Sequence, residues 1–316
     1  MPINSDKPLL WKADIQASVD LFNTWFTQFA PMAYRETRLQ TTKLVENGLL
    51  LTKDLTDVEP ELLKANPGIL PMLRMATCPP LARDRLIGLA YASKSLVLSM
   101  ENGRVASRMP EDLLTHNLKQ ISSTIKKMLD VDIFPWLAAN TSPSTEERYR
   151  AATIVADRLC GAISDPIVRN AQEKRQLALI AGYLEKKGYK RQSHSPNEPL
   201  TRMTPGTFAF RMVIVVGESR RINIPVDVVI QPKKTSADML PVLIEAKSAG
   251  DFTNVNKRRK EEATKIRQIH ATYGKDARFI LFLCGYFDSG YLGYEAAEGI
   301  DWIWEHRLQD MDRLGL

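Results

Sequence analysis

The segment from Arg220 to Lys260 constrains this chain more than any other. It opens as RRINIPVDVVIQP, where Ile222, Ile224, Val226, Val228 and Ile230 alternate with Asn223 and Asp227. A period of two predicts a strand with those aliphatic residues on one face and Asn223 and Asp227 on the other. Pro232 and Pro241 bracket a charged stretch with no period, which reads as a loop. A second strand follows, in which Val242, Ile244 and Ala246 take one face and Leu243, Glu245 and Lys247 the other. Neighbouring strands of this kind bring Asp227, Glu245 and Lys247 toward one place. Two carboxylates and one ammonium suit metal-assisted phosphodiester hydrolysis. Hard oxygen donors hold Mg²⁺, and a lysine steadies the attacking water or the phosphate oxygens. The plain alternative is a surface hairpin carrying three charges, because Glu-x-Lys alone has almost no specificity.

The elements around this segment are read the same way. A helix is expected from Val168 to Lys187, with Leu177, Ile180 and Leu184 as its apolar stripe and Glu173 on that stripe. An inward carboxylate needs an arginine or a metal to offset its desolvation, and both readings stay open. Thr207–Val216 reads as a strand with Phe208, Phe210, Met212, Ile214 and Val216 on one face. Gly217-Glu218-Ser219 turns it into the Asp227 strand as a hairpin. After Lys247, the loop SAGDFTN leads to a helix from Val255 to Tyr273 with Ala263, Ile266 and Tyr273 inward. Lys257–Glu261 and Arg258–Glu262 are spaced as exposed i,i+4 pairs on it. Its first turn, Lys257-Arg258-Arg259-Lys260, sets cations against the helix dipole, a placement that makes sense if phosphates arrive there. Arg278–Tyr286 is unbroken and apolar, as a strand buried on both faces would be.

With these residues in place, a resemblance can be stated. Pro225-Val226-Asp227 followed by Glu245-Ala246-Lys247 resembles the PD-(D/E)XK nuclease signature, with Val226 intervening between the proline and the aspartate. The order helix, strand, strand, strand, helix, strand is the αβββαβ core of that fold. The run AKSAGDFTNVNKRRKEE further resembles Type II restriction endonucleases of the XamI-like group, most firmly over residues 165–300. The resemblance implies an α/β (α+β) chain, with a mostly helical region over 1–165 serving DNA recognition or dimerisation and a nuclease core with a mixed sheet over 166–316. It implies Mg²⁺ held by Asp227, Glu245 and the carbonyl of Ala246, with Glu173 as a further candidate, and Lys247 serving the attacking water. It implies cleavage of both strands of double-stranded DNA by a homodimer, since a palindromic site is two-fold symmetric. A cognate DNA methyltransferase would act on the same site in a prokaryotic cytoplasm. Candidate DNA contacts are Asn254, Asn256, Lys257, Arg258, Arg259 and Lys260, with Arg220 and Arg221 at the hairpin tip. The rivals are a repair, recombination or methylation-dependent nuclease on the same core, and a DNA-binding module with a degenerate site. The intact Asp/Glu-x-Lys trio speaks against the second.

Charge distribution agrees with a polyanionic partner. Residues 1–165 carry 19 basic and 19 acidic side chains, residues 169–275 carry 21 and 10, and residues 276–316 carry 3 and 8. The positive excess therefore surrounds the suspected catalytic strands, where nucleic acid is the natural partner. Cys78, Cys160 and Cys284 are too scattered for a zinc cluster and odd in number, which argues for reduced thiols. The four histidines show no ligand spacing. The start MPINSDKPLL lacks a signal-peptide pattern, and no apolar run reaches membrane-spanning length, so a cytosolic chain is expected. In the first half, helices are expected over 14–29 (stopped at Ala30-Pro31), 33–46, 81–100, 111–128 and 145–163 (ended before Asp165-Pro166).

Overall fold

The structure, a computed structural model, describes residues 2–106, 108–193, 200–217, 221–234, 239–253 and 255–316, without the side chains of 201 and 255–258. Arg220 and Asn254 thus lie outside the described residues, as do the side chains of Asn256, Lys257 and Arg258. The helices are α1 (Pro8–Leu51), α2 (Pro60–Ala65), α3 (Leu70–Met75), α4 (Arg83–Ala90), α5 (Lys94–Glu101), α6 (Glu111–Met128), α7 (Pro135–Ala139), α8 (Thr145–Lys186), α9 (Val255–Tyr273) and α10 (Ser289–Ala297). The strands are β1 (Lys190–Arg191), β2 (Thr207–Val216), β3 (Ile222–Gln231), β4 (Val242–Ala249), β5 (Phe279–Gly285) and β6 (Asp301–Trp304).

Two helices run through prolines where breaks are expected. α1 continues past Pro31 and α8 past Pro166. A helix-interior proline costs about 3 kcal/mol, partly by stripping a hydrogen bond from the carbonyl four residues earlier. Those carbonyls belong to Thr27 and Ala162, residues exposed enough for water to take the place of the lost donor. The expected helix over 81–100 is instead α4 and α5, parted at Tyr91, whose φ of 48° is left-handed. The chain divides into two compact units inside the two long helices, residues 1–29 with 169–316 and residues 30–168. A helical half ending at 165 therefore omits one feature: the first 29 residues go with the sheet.

The helical unit, Ala30–Val168, packs Leu49, Met72, Leu73, Leu96, Ile121, Trp136 and Val155 into one core. Its ion pair Arg74–Glu101 is buried.

The other unit is built on one sheet ordered β1-β2-β3-β4-β5-β6. β2/β3 and β3/β4 are antiparallel, while β1/β2, β4/β5 and β5/β6 are parallel. Leu177, Ile180 and Leu184 of α8 cover one face with Met311 and Leu314. Ile266 and Ile269 of α9 with Tyr291 and Leu292 of α10 cover the other. β5 is buried along its whole length, as its sequence demands. The first residues of the chain are tied to this sheet by polar contacts. Ser18 Oγ accepts the Gly285 N–H at 2.8 Å, and Asp14 takes the Arg307 guanidinium at 2.8 Å. Gly285 has a φ of 100°, and a Cβ there would lie 2.1 Å from the Ala249 carbonyl oxygen. Only glycine lets β4 and β5 end this close together.

The uniform alternation expected along β2 and β3 fails at one level of the sheet. Ile224 and Val226 pack on the α9/α10 side, whereas Val228 and Ile230 pack on the α8 side. β2 behaves alike, with Phe208 and Phe210 on the α8 side and Met212, Ile214 and Val216 opposite. The change of face falls at Arg211 and Asp227, which the register sets at one level because Phe210 pairs with Val228 and Met212 with Val226. Arg211 has a φ of 52°, a conformation a non-glycine residue adopts only where the surroundings impose it.

Candidate active site

Asp227 sits at the point where β3 changes faces. The β3/β4 ladder pairs Ile230 with Val242, Val229 with Leu243 and Val228 with Ile244. Beyond Val228 a side chain continues the link: Asp227 Oδ2 accepts the Ala246 N–H at 2.8 Å. That bond fixes the carboxylate beside the next strand. β4 keeps its alternation, so Glu245 and Lys247 share a face, with Lys247 Nζ 3.0 Å from Glu245 Oε1. The structure thus brings Asp227, Glu245 and Lys247 together where the β3/β4 ladder ends.

Residues that spacing did not flag complete the cluster. Lys265 of α9 places Nζ 2.6 Å from the same Glu245 Oε1 and 3.4 Å from the Pro225 carbonyl oxygen, bridging β3 and β4. Glu262, one turn earlier, is fully buried, with Oε1 3.5 Å from Lys247 Nζ and Oε2 accepting from the Tyr291 hydroxyl at 2.9 Å. Its expected role in an exposed pair with Arg258 is therefore wrong. The i,i+4 spacing was real, but Glu262 adjoins the inward Ala263 and faces the sheet. The signal available was that Glu262 and Lys265 are three apart on a helix, hence neighbours on one face, matching Glu245 and Lys247 two apart on a strand. Gln176 of α8 donates to the Lys247 carbonyl oxygen at 3.3 Å and so holds β4 from the opposite face.

The site holds more negative charge than its cations neutralise. Burial, then the neighbouring Glu245, push the Asp227 carboxyl up to about 6. Burial disfavours the ammonium of Lys247, but Glu245 and Glu262 outweigh it and hold the group above its ordinary value. Burial likewise raises Glu262 against the pull of Lys247 and Tyr291. Among the described residues Glu245 Oε2 is buried without a hydrogen-bond partner, although Oε1 has two lysines. A desolvated carboxylate oxygen with an open side is costly unless a cation arrives. The oxygen donors present fit a hard divalent ion. Among the described residues no three His, Cys, Asp or Glu side chains converge as a metal cluster.

Glu173 takes the ion-pair alternative, with Oε1 2.7 Å from Arg211 Nη2. Its arginine is more than half exposed rather than buried, and Glu173 still adds to the repulsion felt by Asp227. Of the suspected DNA contacts, Lys260 and Arg221 are exposed. Arg259 turns to α10, its guanidinium 4.6 Å from the Tyr294 ring centroid.

The sheet therefore brings two carboxylates and a lysine together on β3 and β4. The family model described as XamI restriction endonuclease matches residues 53–304. The chain belongs to that family and is a Type II restriction endonuclease, a sequence-specific deoxyribonuclease. It is 54% identical over 313 residues, 99% of each chain, to the Type II restriction enzyme SalI of Streptomyces albus G. Among solved structures, protein VC1899 from Vibrio cholerae aligns over 90% of this chain and 55% of its own length, at 11% identity and a TM-score of 0.28.

Proposed function

We propose that this enzyme hydrolyses phosphodiester bonds in both strands of double-stranded DNA with Mg²⁺, using Asp227, Glu245 and Lys247. The observation that carries the reading is the open, buried Glu245 Oε2 beside a carboxyl of raised pKa. Asp227, Glu245 and the carbonyl of Ala246 would hold the ion. Bound Mg²⁺ supplies Lewis-acid polarisation of the scissile phosphate and offsets the charge that develops as the 3′ oxygen departs. Lys247 orients the attacking water and donates to a phosphate oxygen. A preorganised donor of this kind is effective because burial removes competing water. Lys265 keeps the Glu245 carboxylate in place on the side away from the substrate.

The same reading extends to partners. Lys260, Arg221 and the neighbouring basic residues of α9 approach DNA phosphates or base edges, while Arg259 packs on Tyr294 and orders the helix start. Two copies meet a two-fold DNA site most economically, with the helical unit contributing recognition or dimer contacts. The enzyme works in the prokaryotic cytoplasm beside a methyltransferase that modifies the same site.

The test is digestion of a plasmid of known sequence with Mg²⁺ or with EDTA, followed by mapping of both strand ends. Discrete fragments with Mg²⁺ and intact plasmid in EDTA are expected. Cutting in EDTA, or a smear without defined ends, would overturn it.

A further inference from the structure

An ammonium needs a fixed geometry to orient water, and the strand alone does not provide one for Lys247. Its ordered carboxylate neighbour on β4 is Glu245, the residue that the reading above commits to a cation. Once Glu245 faces a divalent ion, its pull on Lys247 weakens, and the lysine would be left partly buried with a reduced partner. A buried charge that loses its partner is destabilised by several kcal/mol. A second carboxylate lies behind it. Glu262 is 0% exposed and reaches Lys247 from α9, on the side away from Glu245's strand. The Tyr291 hydroxyl of α10 fixes the far oxygen of Glu262. One turn along α10, Glu295 is also 0% exposed, with neither carboxyl oxygen accepting a hydrogen bond. Burial, then the adjacent Glu262, push Glu295 up to about 8. Burial thus favours the neutral form of Glu295, whereas Lys247 and the Tyr291 hydroxyl favour the charged form of Glu262.

Resting on the active-site reading above, we propose that Glu262 is the positioning residue of Lys247, held by Tyr291, which keeps the ammonium fixed when Glu245 is engaged elsewhere. An ammonium has three donors. With one toward Glu245 and one toward Glu262, the third is directed to the reacting water.

The experiment measures single-turnover cleavage of a duplex carrying a mapped site, with Mg²⁺ and excess enzyme, and binding to the same duplex in Ca²⁺. Glu262→Gln should slow cleavage about 10- to 100-fold, as loss of a supporting partner usually does. Affinity for the duplex should stay within about threefold, a loss of rate rather than of binding. Tyr291→Phe should slow cleavage about fivefold, the worth of one hydrogen bond. A second readout needs no cleavage. Glu262→Gln should lower the melting temperature in the otherwise native protein but raise it in a Lys247→Met background, where Glu262 is a buried charge without its partner. Wild-type cleavage by Glu262→Gln overturns the proposal, as does the same melting shift in both backgrounds. If Glu262→Gln does not fold, Tyr291→Phe decides, and an undiminished rate overturns the proposal. Glu245→Ala separates the two readings: if it cuts normally the active-site assignment fails, and if it is inert while Glu262→Gln is fully active only the role of Glu262 fails.

Discussion

In the helical unit Arg74 meets Glu101 through two hydrogen bonds of 2.7 and 2.8 Å, with side chains 7% and 13% exposed. The charges match one to one, and Arg74 also donates to the Leu81 carbonyl oxygen. In the sheet unit, Asp227, Glu245, Lys247, Glu262 and Lys265 lie in one cluster, but among the described residues Glu245 Oε2 accepts no hydrogen bond, Glu262 Oε1 lies 3.5 Å from Lys247 Nζ, and two acids are raised. The first arrangement is closed and stabilises one geometry. The second is open, and open charge in a desolvated place is kept where something is to be bound or a group tuned. Removing a charge should therefore cost stability in the first region and activity in the second.

The largest expected effect is in the open cluster. Asp227→Ala and Glu245→Ala should each lower Mg²⁺-dependent cleavage by about 10³-fold or more, since each removes several kcal/mol of charge stabilisation. Filter or gel-shift binding in Ca²⁺ should show the mapped duplex still bound. Lys247→Arg should remain impaired by about 10²-fold despite its charge, because a planar guanidinium does not reproduce a compact ammonium between Glu245 and Glu262. Recovery of most activity would mean that only net charge matters there.

The closed pair predicts the reverse. Arg74→Ala should cost about 3–5 kcal/mol in urea unfolding by leaving Glu101 buried and unpaired. The same protein, below its unfolding transition, should cut DNA at near its normal rate. A large loss of cleavage without loss of stability would erase the distinction drawn here.

Asp227 gives a smaller effect with a definite sign. Its folded pKa of about 6 lies above the ordinary aspartate value of 3.8, so folding favours the protonated form. Stability is full below about pH 4 and falls as pH rises toward 6. In EDTA, Asp227→Asn should raise the melting temperature at pH 7.5 and leave it unchanged near pH 4. A destabilising effect at pH 7.5 would show that the carboxylate is well compensated without metal. The smallest effects belong to the surface: Lys260→Ala should reduce the slope of log K against log salt by about one unit on any duplex.

The two regions also differ in how much of them could be read from the sequence. Glu245 and Lys247 were legible because β4 keeps a period of two through Glu245, Ala246 and Lys247, and Asp227 because it breaks an aliphatic run on the strand before. The ends of β2, α6 and α9 agreed with the expected ranges because turn residues and charge blocks mark them. Pro31 and Pro166 misled, since an interior proline disfavours a helix without excluding it, and both helices are long enough to continue past theirs. Glu262 misled in a different way. A glutamate four residues from an arginine is an exposed pair by spacing alone, and nothing local says which side of the helix the sheet lies on.

The sequence by itself therefore determined the order of the elements and the strand pair that carries the acids and the lysine, because each depends on neighbours within a few residues. The tertiary structure decided what depends on distant contacts. It set the change of face at Arg211 and Asp227, the enlistment of the first 29 residues by the sheet, and the convergence of Glu262, Lys265 and Tyr291 on Lys247 and Glu245. Those partners lie 15 to 29 positions from the residues they touch, at Glu262–Lys247 (15), Lys265–Glu245 (20) and Tyr291–Glu262 (29), and only packing of α9 and α10 against the sheet brings them into range.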